Sequence, residues 1–363
     1  MAGLPDFPWD RLASSAATAR EHPGGIVDLS VGTPVDPTPA LLREALAAAA
    51  DAPGYPQTYG TPALREAVAA WFARRRGVPD VDPDGVLPTI GSKELVAWLP
   101  TLLGVGAGDV VVHPQVAYPT YDVGARLAGA TPLPADGTAQ VGPRAGRVRV
   151  VWVNSPSNPT GRVLGVAHLA KVVAWARSVG AVVASDECYA ELGWDVDEVP
   201  SILDPRVCDG SHEGLLAVYS LSKQSNLAGY RAAFVAGDPG LVRRLLEVRK
   251  HAGMIVPWPV QEVLRVALAD DAHVREQKER YRRRRVAVRS ALVAAGLTVE
   301  HSEAGLYLWA TRGEPCWDTV RDLAARGVLV APGEFYGAAG ARHVRVALTA
   351  SDAALASLAG RLS

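Results

Sequence analysis

Short apolar runs recur along the middle of the chain, separated by stretches with helical spacing. Val86-Leu87-Pro88-Thr89-Ile90, Asp109-Val110-Val111-Val112-His113, the run 148–153, the run 181–185 and Leu215-Leu216-Ala217-Val218 are brief, valine-rich and closed by Gly, Pro, Asn, Asp or Ser. That pattern predicts strands buried on both faces. Between them, residues 94–99 and 169–178 carry apolar positions at helical spacing. Strand alternating with helix over 86–235 predicts an α/β domain with a mostly parallel sheet flanked by helices. Upstream, a proline-rich lead covers residues 1–37, a helix starts near Pro39, and the turn-rich loop 53–60 holds Tyr55 and Tyr59. An amphipathic helix over 63–76 then places Trp71 and Phe72 on its apolar side. Downstream, one long helical pattern runs over 257–289. The tail alternates again: strand at Leu306-Tyr307-Leu308-Trp309, helix over 319–325, strands at Val328-Leu329-Val330 and 344–348. This predicts a smaller α+β domain. The expected division is an arm at 1–37 that joins the small domain, a large domain at 38–275 and the small domain at 276–363.

Composition narrows the class. With 363 residues, 48% hydrophobic and 21% charged, the chain is long enough for a large core plus a second unit. A net charge of −1 gives no global pull toward nucleic acid or anionic lipid. The basic run 275–285 is interleaved with Glu276 and Glu279 and holds one aromatic, Tyr281, so it reads as a solvated helix face. Cys188, Cys208 and Cys316 are far apart, with neither disulfide nor zinc spacing. No basic segment precedes an apolar run at the amino terminus and no span of eighteen apolar residues occurs, which predicts a cytoplasmic protein without a membrane span. Gly104-Val105-Gly106-Ala107-Gly108 is followed by a strand where a dinucleotide fingerprint needs a helix, so it is a turn.

The candidate chemistry gathers at the strand ends. Lys223 is one of five lysines beside thirty-two arginines. Lysine can lose its proton and attack a carbonyl, whereas guanidinium cannot. Gly91-Ser92, Tyr118, Asn158, Asp186, Tyr189 and Ser220 to Lys223 each fall just past a predicted strand, where ligands bind in open parallel sheets. Taken one at a time, these residues also suit turns, caps and a surface lysine. Taken together they suit pyridoxal 5'-phosphate. Lys223 would form a Schiff base, and Asp186 would keep the ring nitrogen protonated. Asn158 and Tyr189 would donate to the phenolic oxygen, and Tyr118 would stack on the ring. Gly91, Ser92 and Lys93 at a helix start, with Ser220, Ser222 and Arg231, would hold the phosphate. Arg345, inside an apolar strand, would take a substrate carboxylate.

Gly91-Ser92-Lys93-Glu94, Asn158-Pro159-Thr160-Gly161, Asp186-Glu187-Cys188-Tyr189, Ser220-Leu221-Ser222-Lys223, Gly229-Tyr230-Arg231 and Val344-Arg345-Val346, in this order, resemble the class I/II aminotransferases of PLP fold type I. The resemblance implies a large domain built on a mostly parallel seven-stranded sheet and a smaller α+β domain. It also implies a homodimer in which Tyr59 of the partner subunit reaches the phosphate, and Gly32 near the substrate carboxylate. Phe7-Pro8-Trp9-Asp10, residues 28–37, 117–126, 249–254 and 306–316 are similar to the actinobacterial N-succinyldiaminopimelate aminotransferases, which use glutamate and 2-oxoglutarate. One departure stands out: the loop 252–259 carries no cation where aspartate aminotransferases place an arginine for the distal carboxylate. Other aminotransferase specificities, and a carbon–sulfur lyase on the same fold, use the same cofactor residues. A PLP-binding regulatory module would need a DNA-binding domain for which no residues remain.

Overall fold

The computed structural model describes residues 3–362, so the first two residues of the expected arm and the last of the expected small domain lie outside it. Its central sheet has seven strands: β1 (Val86–Ile90), β2 (Val110–His113), β3 (Thr131–Pro134), β4 (Val148–Asn154), β5 (Val182–Asp186), β6 (Leu215–Ser220) and β7 (Ala232–Gly237). The order across the sheet is β1-β7-β6-β5-β4-β2-β3. β7 is antiparallel to both neighbours and every other pairing is parallel. β6 is buried at all six positions, as expected of a strand covered on both faces. On one face Trp71 packs on Tyr219 with ring centroids 4.5 Å apart, and Phe72 meets Phe234. On the other, Leu95, Leu99, Tyr121, Trp152 and Leu216 form a second apolar layer.

Two strands escape the periodicity argument. β3, Thr-Pro-Leu-Pro, holds two prolines, which a sheet tolerates at its edge, and the edge is where β3 lies. β7, Ala-Ala-Phe-Val-Ala-Gly, is held by its place between β1 and β6 despite small residues with weak strand preference. The expected single helix over 257–289 is two, Trp258–Ala269 and Ala272–Ala294. At the break, the Asp270 carboxylate accepts the His273 N–H at 3.0 Å, capping the second helix. The expected division at 275/276 falls inside that helix.

The basic run on this helix is not a solvated face throughout. Arg282 and Arg283 do point outward beside Glu279. Arg284 and Arg285, however, are buried. Arg284 donates to Asp36 at 2.6 Å and to Asp352 at 2.7 Å, while Arg285 pairs with Asp195. Tyr281 and Val288 lie on the same inward stripe, so helical period, which composition ignores, decides which arginines face water.

A smaller antiparallel sheet follows: β8 (Thr298–Glu300), β9 (Tyr307–Thr311), β10 (Ala331–Pro332) and β11 (Val344–Ala347), in the order β10-β11-β9-β8. Val27–Asp28 pairs in parallel with Val328–Leu329 beside it. Leu12, Val27 and Leu29 share an apolar core with Leu308, Val320 and Val346. The next residues cross toward the large sheet. The Ser30 carbonyl accepts from Arg345, that of Val31 from Thr349 and that of Gly32 from Lys223. Among the described residues no helix is long and apolar enough to cross a membrane.

The Ser92–Leu102 helix, which opens at the rim of the sheet, is anchored by an ion pair. Arg249 is fully buried and donates to Glu94 at 2.7 Å, and Glu94 also accepts the Ile90 N–H. Removing one partner leaves a buried charge unpaired. Glu94→Ala is therefore expected to lower unfolding stability by about 3 kcal/mol, read from urea denaturation of the purified protein.

Candidate active site

Six strands end at one rim of the large sheet, and the reversed direction of β7 puts its preceding residue, Arg231, at that rim too. Above the rim lies a cavity of about 440 Å³. Twelve of the fourteen residues expected at the site line it: Gly32, Ser92, Lys93, Tyr118, Asn158, Asp186, Tyr189, Ser220, Ser222, Lys223, Arg231 and Arg345. Its charged lining comprises Lys93, Lys223, Arg231 and Arg345 against one carboxylate, Asp186. That balance suits ligands carrying several negative charges.

Asp186 ends β5 and is 7% exposed. One carboxylate oxygen accepts from Tyr121 Oη at 2.8 Å and the other from the Cys188 N–H at 3.2 Å. Tyr121 is itself stacked on Trp152 of β4, with centroids 4.9 Å apart. Burial pushes the carboxyl above its usual pKa, and the donors from Cys188 and Tyr121 oppose that. Asn154, at the end of β4, donates to the Asp186 carbonyl at 3.0 Å and accepts the Asn158 N–H at 2.7 Å. It thereby ties the Asn158 turn to β5. Asn158 Oδ1 in turn accepts from Arg345 at 3.1 Å.

Lys223 sits three residues past the end of β6 and its amine donates to the Gly32 carbonyl. Burial pulls its pKa down, the Tyr307 side chain partly opposes this, and Arg345 adds to it. Ser220 and Ser222 are joined by a 2.8 Å hydroxyl hydrogen bond. Opposite them, Gly91 precedes the Ser92–Leu102 helix at φ 74°, and a side chain there would overlap the Arg231 guanidinium. Glycine is needed so that arginine and helix start can lie together. Arg231 adopts φ 57°, rare for a non-glycine residue and a form of strain found at functional sites. Tyr118 lies over the cavity, and burial raises its phenol to about 12.

The other two expected residues lie outside this lining. Gly91 is the cap just described. Tyr59 donates to Asp84 at 2.9 Å beneath the Arg65 guanidinium, which is 3.9 Å from its ring centroid. Lys93 is at the cavity, yet its ammonium lies 5.5 Å from the ring of Phe7, a half-exposed residue at the mouth. Sequence reasoning gave no role to Tyr307, Trp9, Cys188 or Tyr121. The first three line the cavity and Tyr121 orients Asp186. Tyr307 Oη is 3.2 Å from Tyr189 Oη. Burial raises the Tyr189 phenol; at Tyr307 burial is outweighed by Arg345 and then Lys223, which lower it. An aromatic inside a strand reads as core from sequence, and only the folded contacts distinguish it.

The residues fit pyridoxal 5'-phosphate on three observations. Among the described residues, Asp186 is a buried carboxylate with neutral partners, short of the cation that a protonated ring nitrogen supplies. Lys223 holds a partly buried amine against a neutral carbonyl. The helix start, the paired serines and Arg231, whose side chain donates to the Ala228 carbonyl and pairs with no carboxylate among the described residues, make a cradle suited to phosphate.

Comparison with known proteins agrees. The family described as aminotransferase class I and II matches residues 25–362. The chain is 63% identical, over all its length and 86% of the other's, to the probable aminotransferase Rv1178 of Mycobacterium tuberculosis. It is 60% identical, over the full length of both, to 4-dedimethylamino-4-oxo-anhydrotetracycline transaminase OxyQ of Streptomyces rimosus. Among solved structures, a probable N-succinyldiaminopimelate aminotransferase from Thermus thermophilus superposes with a TM-score of 0.86 at 30% identity, covering 98% of this chain and 99% of that one. The chain belongs to the class I and II aminotransferases and is a transaminase dependent on pyridoxal 5'-phosphate.

Proposed function

We propose that this transaminase exchanges the amino group of glutamate with the 6-oxo counterpart of N-succinyl-LL-2,6-diaminopimelate, a step in diaminopimelate and lysine synthesis. The observation that carries this reading is the placement of cations. The 252–259 loop has none, while Lys93 stands at the mouth with no carboxylate partner among the described residues. A short diacid is poorly served by that arrangement, and a long one can reach it. A relative named LL-diaminopimelate aminotransferase, 34% identical over 95% of this chain, and the Thermus thermophilus structure support it. The relation to OxyQ favours a second reading, amination of a polycyclic ketone. Phe7, Trp9, Val31 and Val96 at the cavity would give such a ligand apolar walls.

When bound, the cofactor supplies an aldehyde carbon for the amine and a ring that takes up electrons as the α-carbon loses its proton. Everything else falls to the chain. Asp186 holds negative charge opposite the ring nitrogen, oriented by Tyr121. Asn158 and Tyr189 donate to the phenolic oxygen, and Tyr118 covers the ring. Ser92, Ser220, Ser222 and Arg231 hold the phosphate, with the Gly91 turn and the Lys93 main chain at the helix start, and Tyr59 of the partner subunit completes it in a homodimer. Arg345 fixes the α-carboxylate beside Gly32. Lys223, its proton affinity lowered by burial, would take the α-proton and deliver it to the carbon that was the cofactor's aldehyde. Residues 38–275 then form the cofactor domain, and 1–37 with 276–363 the smaller one.

Lys223→Ala is expected to remove the visible absorption band of the lysine-bound cofactor, and Asp186→Ala to cut turnover about a thousandfold with the fold retained by circular dichroism. Titrating the purified enzyme with glutamate should bleach the band, and the oxo acceptor should restore it. Pyruvate and ammonia as products would instead mark a lyase. Restoration only by a polycyclic ketone would select the second reading. Lys93→Met should raise KM for the long acceptor about tenfold while sparing slow turnover of alanine, which lacks a distal carboxylate.

A further inference from the structure

Arg345 is 3% exposed, and no carboxylate pairs with it among the described residues. Its hydrogen bonds go to neutral acceptors, the Ser30 carbonyl at 2.6 Å and Asn158 Oδ1 at 3.1 Å, and its Nε has no partner. What surrounds the charge is aromatic: the guanidinium carbon lies 3.9 Å from the Tyr307 ring centroid, 4.9 Å from that of Tyr336 and 5.9 Å from that of Trp9. A buried cation needs compensation. An aspartate would supply it but would also cancel the charge and compete with any incoming carboxylate. An aromatic face stabilises the cation and leaves its N–H edge free.

Tyr307 is placed for that task by sheet register. On the antiparallel β9–β11 pair it faces Ala347, and Arg345 is the diagonal neighbour two residues away on the same face. Its ring also leaves no room at residue 32. A side chain on Gly32 would come within 2.8 Å of two Tyr307 ring atoms and closer still to its hydroxyl. Gly32 and Tyr307 are thus a matched pair at the spot where the Ser30–Gly32 backbone meets Arg345 and Lys223.

We propose that Tyr307 is a positioning residue for the substrate α-carboxylate: its ring is the platform that holds the Arg345 guanidinium, charged and unpaired, in the orientation that receives it. This rests on Arg345 being the carboxylate-binding group. The hydroxyl, bonded to Tyr189, is not needed for the platform.

The test uses the holoenzyme and glutarate, a diacid with neither amine nor ketone, titrated by the shift of the cofactor band. Tyr307→Phe keeps the ring and should bind glutarate within about twofold of the parent, whereas Tyr307→Leu should bind it about tenfold more weakly. Reaction with hydroxylamine, which reaches the same cofactor without a carboxylate, should proceed at the parent rate in both. Tyr307→Met, a flexible filler without a ring face, repeats the measurement should the leucine variant not fold. Parent-like glutarate binding by the ringless variants, beside its loss in Arg345→Ala, overturns this proposal alone. Equal damage in Tyr307→Phe and Tyr307→Leu also overturns it, by placing the effect in the hydroxyl. Normal binding by Arg345→Ala overturns the reading of Arg345 on which it stands.

Discussion

Asp186 is a carboxylate almost sealed from water whose side-chain partners, a phenol and a main-chain N–H, are both neutral. Such a group is costly to bury unless positive charge faces it. The surrounding structure maintains this demand. Trp152 presses on Tyr121, Tyr121 fixes one oxygen, and the Cys188 main chain fixes the other. Asn154 binds the carbonyl of the same residue to the turn that carries Asn158. From Asn158 the connection runs to Arg345 on the smaller sheet. A charge deficit at the end of β5 is therefore built into the scaffold, and a pyridinium is a cation of the kind that would meet it.

The cavity's cations are handled in an opposite manner. Elsewhere in the chain, buried arginines have acidic partners: Arg249 has Glu94, Arg284 has Asp36 and Arg285 has Asp195. Those pairs serve packing, and they bind the helices and the N-terminal segment together. Arg345 instead has aromatic and neutral neighbours, and Arg231 has a carbonyl. Unquenched charge is a poor way to stabilise a fold and a good way to receive an anion.

How much of this could be read from residues alone follows from what each feature depends on. Strand ends are local: β1, β2, β4, β5 and β6 announce themselves by valine runs closed by polar turns, and the site residues come with them. Asp186, Lys223 and Asn158 were legible as cavity-lining residues for that reason, and Arg345 was legible as a charge inside an apolar strand. β3 and β7 were not, because one is an edge strand broken by prolines and the other takes its shape from its neighbours. Buried arginines in the 275–285 run were misread because charge composition was weighed without helical phase. Tyr307 and Tyr121 were missed because a strand or helix tyrosine looks the same whether it fills a core or touches a reacting group. Lys93 was legible as a cation near the cavity, but the direction of its ammonium depends on the Phe7 ring, eighty-six positions away along the chain.

Three successive carbonyls, those of Ser30, Val31 and Gly32, are tethered to Arg345, Thr349 and Lys223. The first two tethers end on the C-terminal body, and the third ends on the Lys223 amine. When a ligand claims that nitrogen, the third knot is untied while the first two stay fast. Asp36 stays held by Arg284 and Gln277, and the Pro37 carbonyl by Asn226, so occupancy releases the Gly32 carbonyl alone within a segment pinned on both sides.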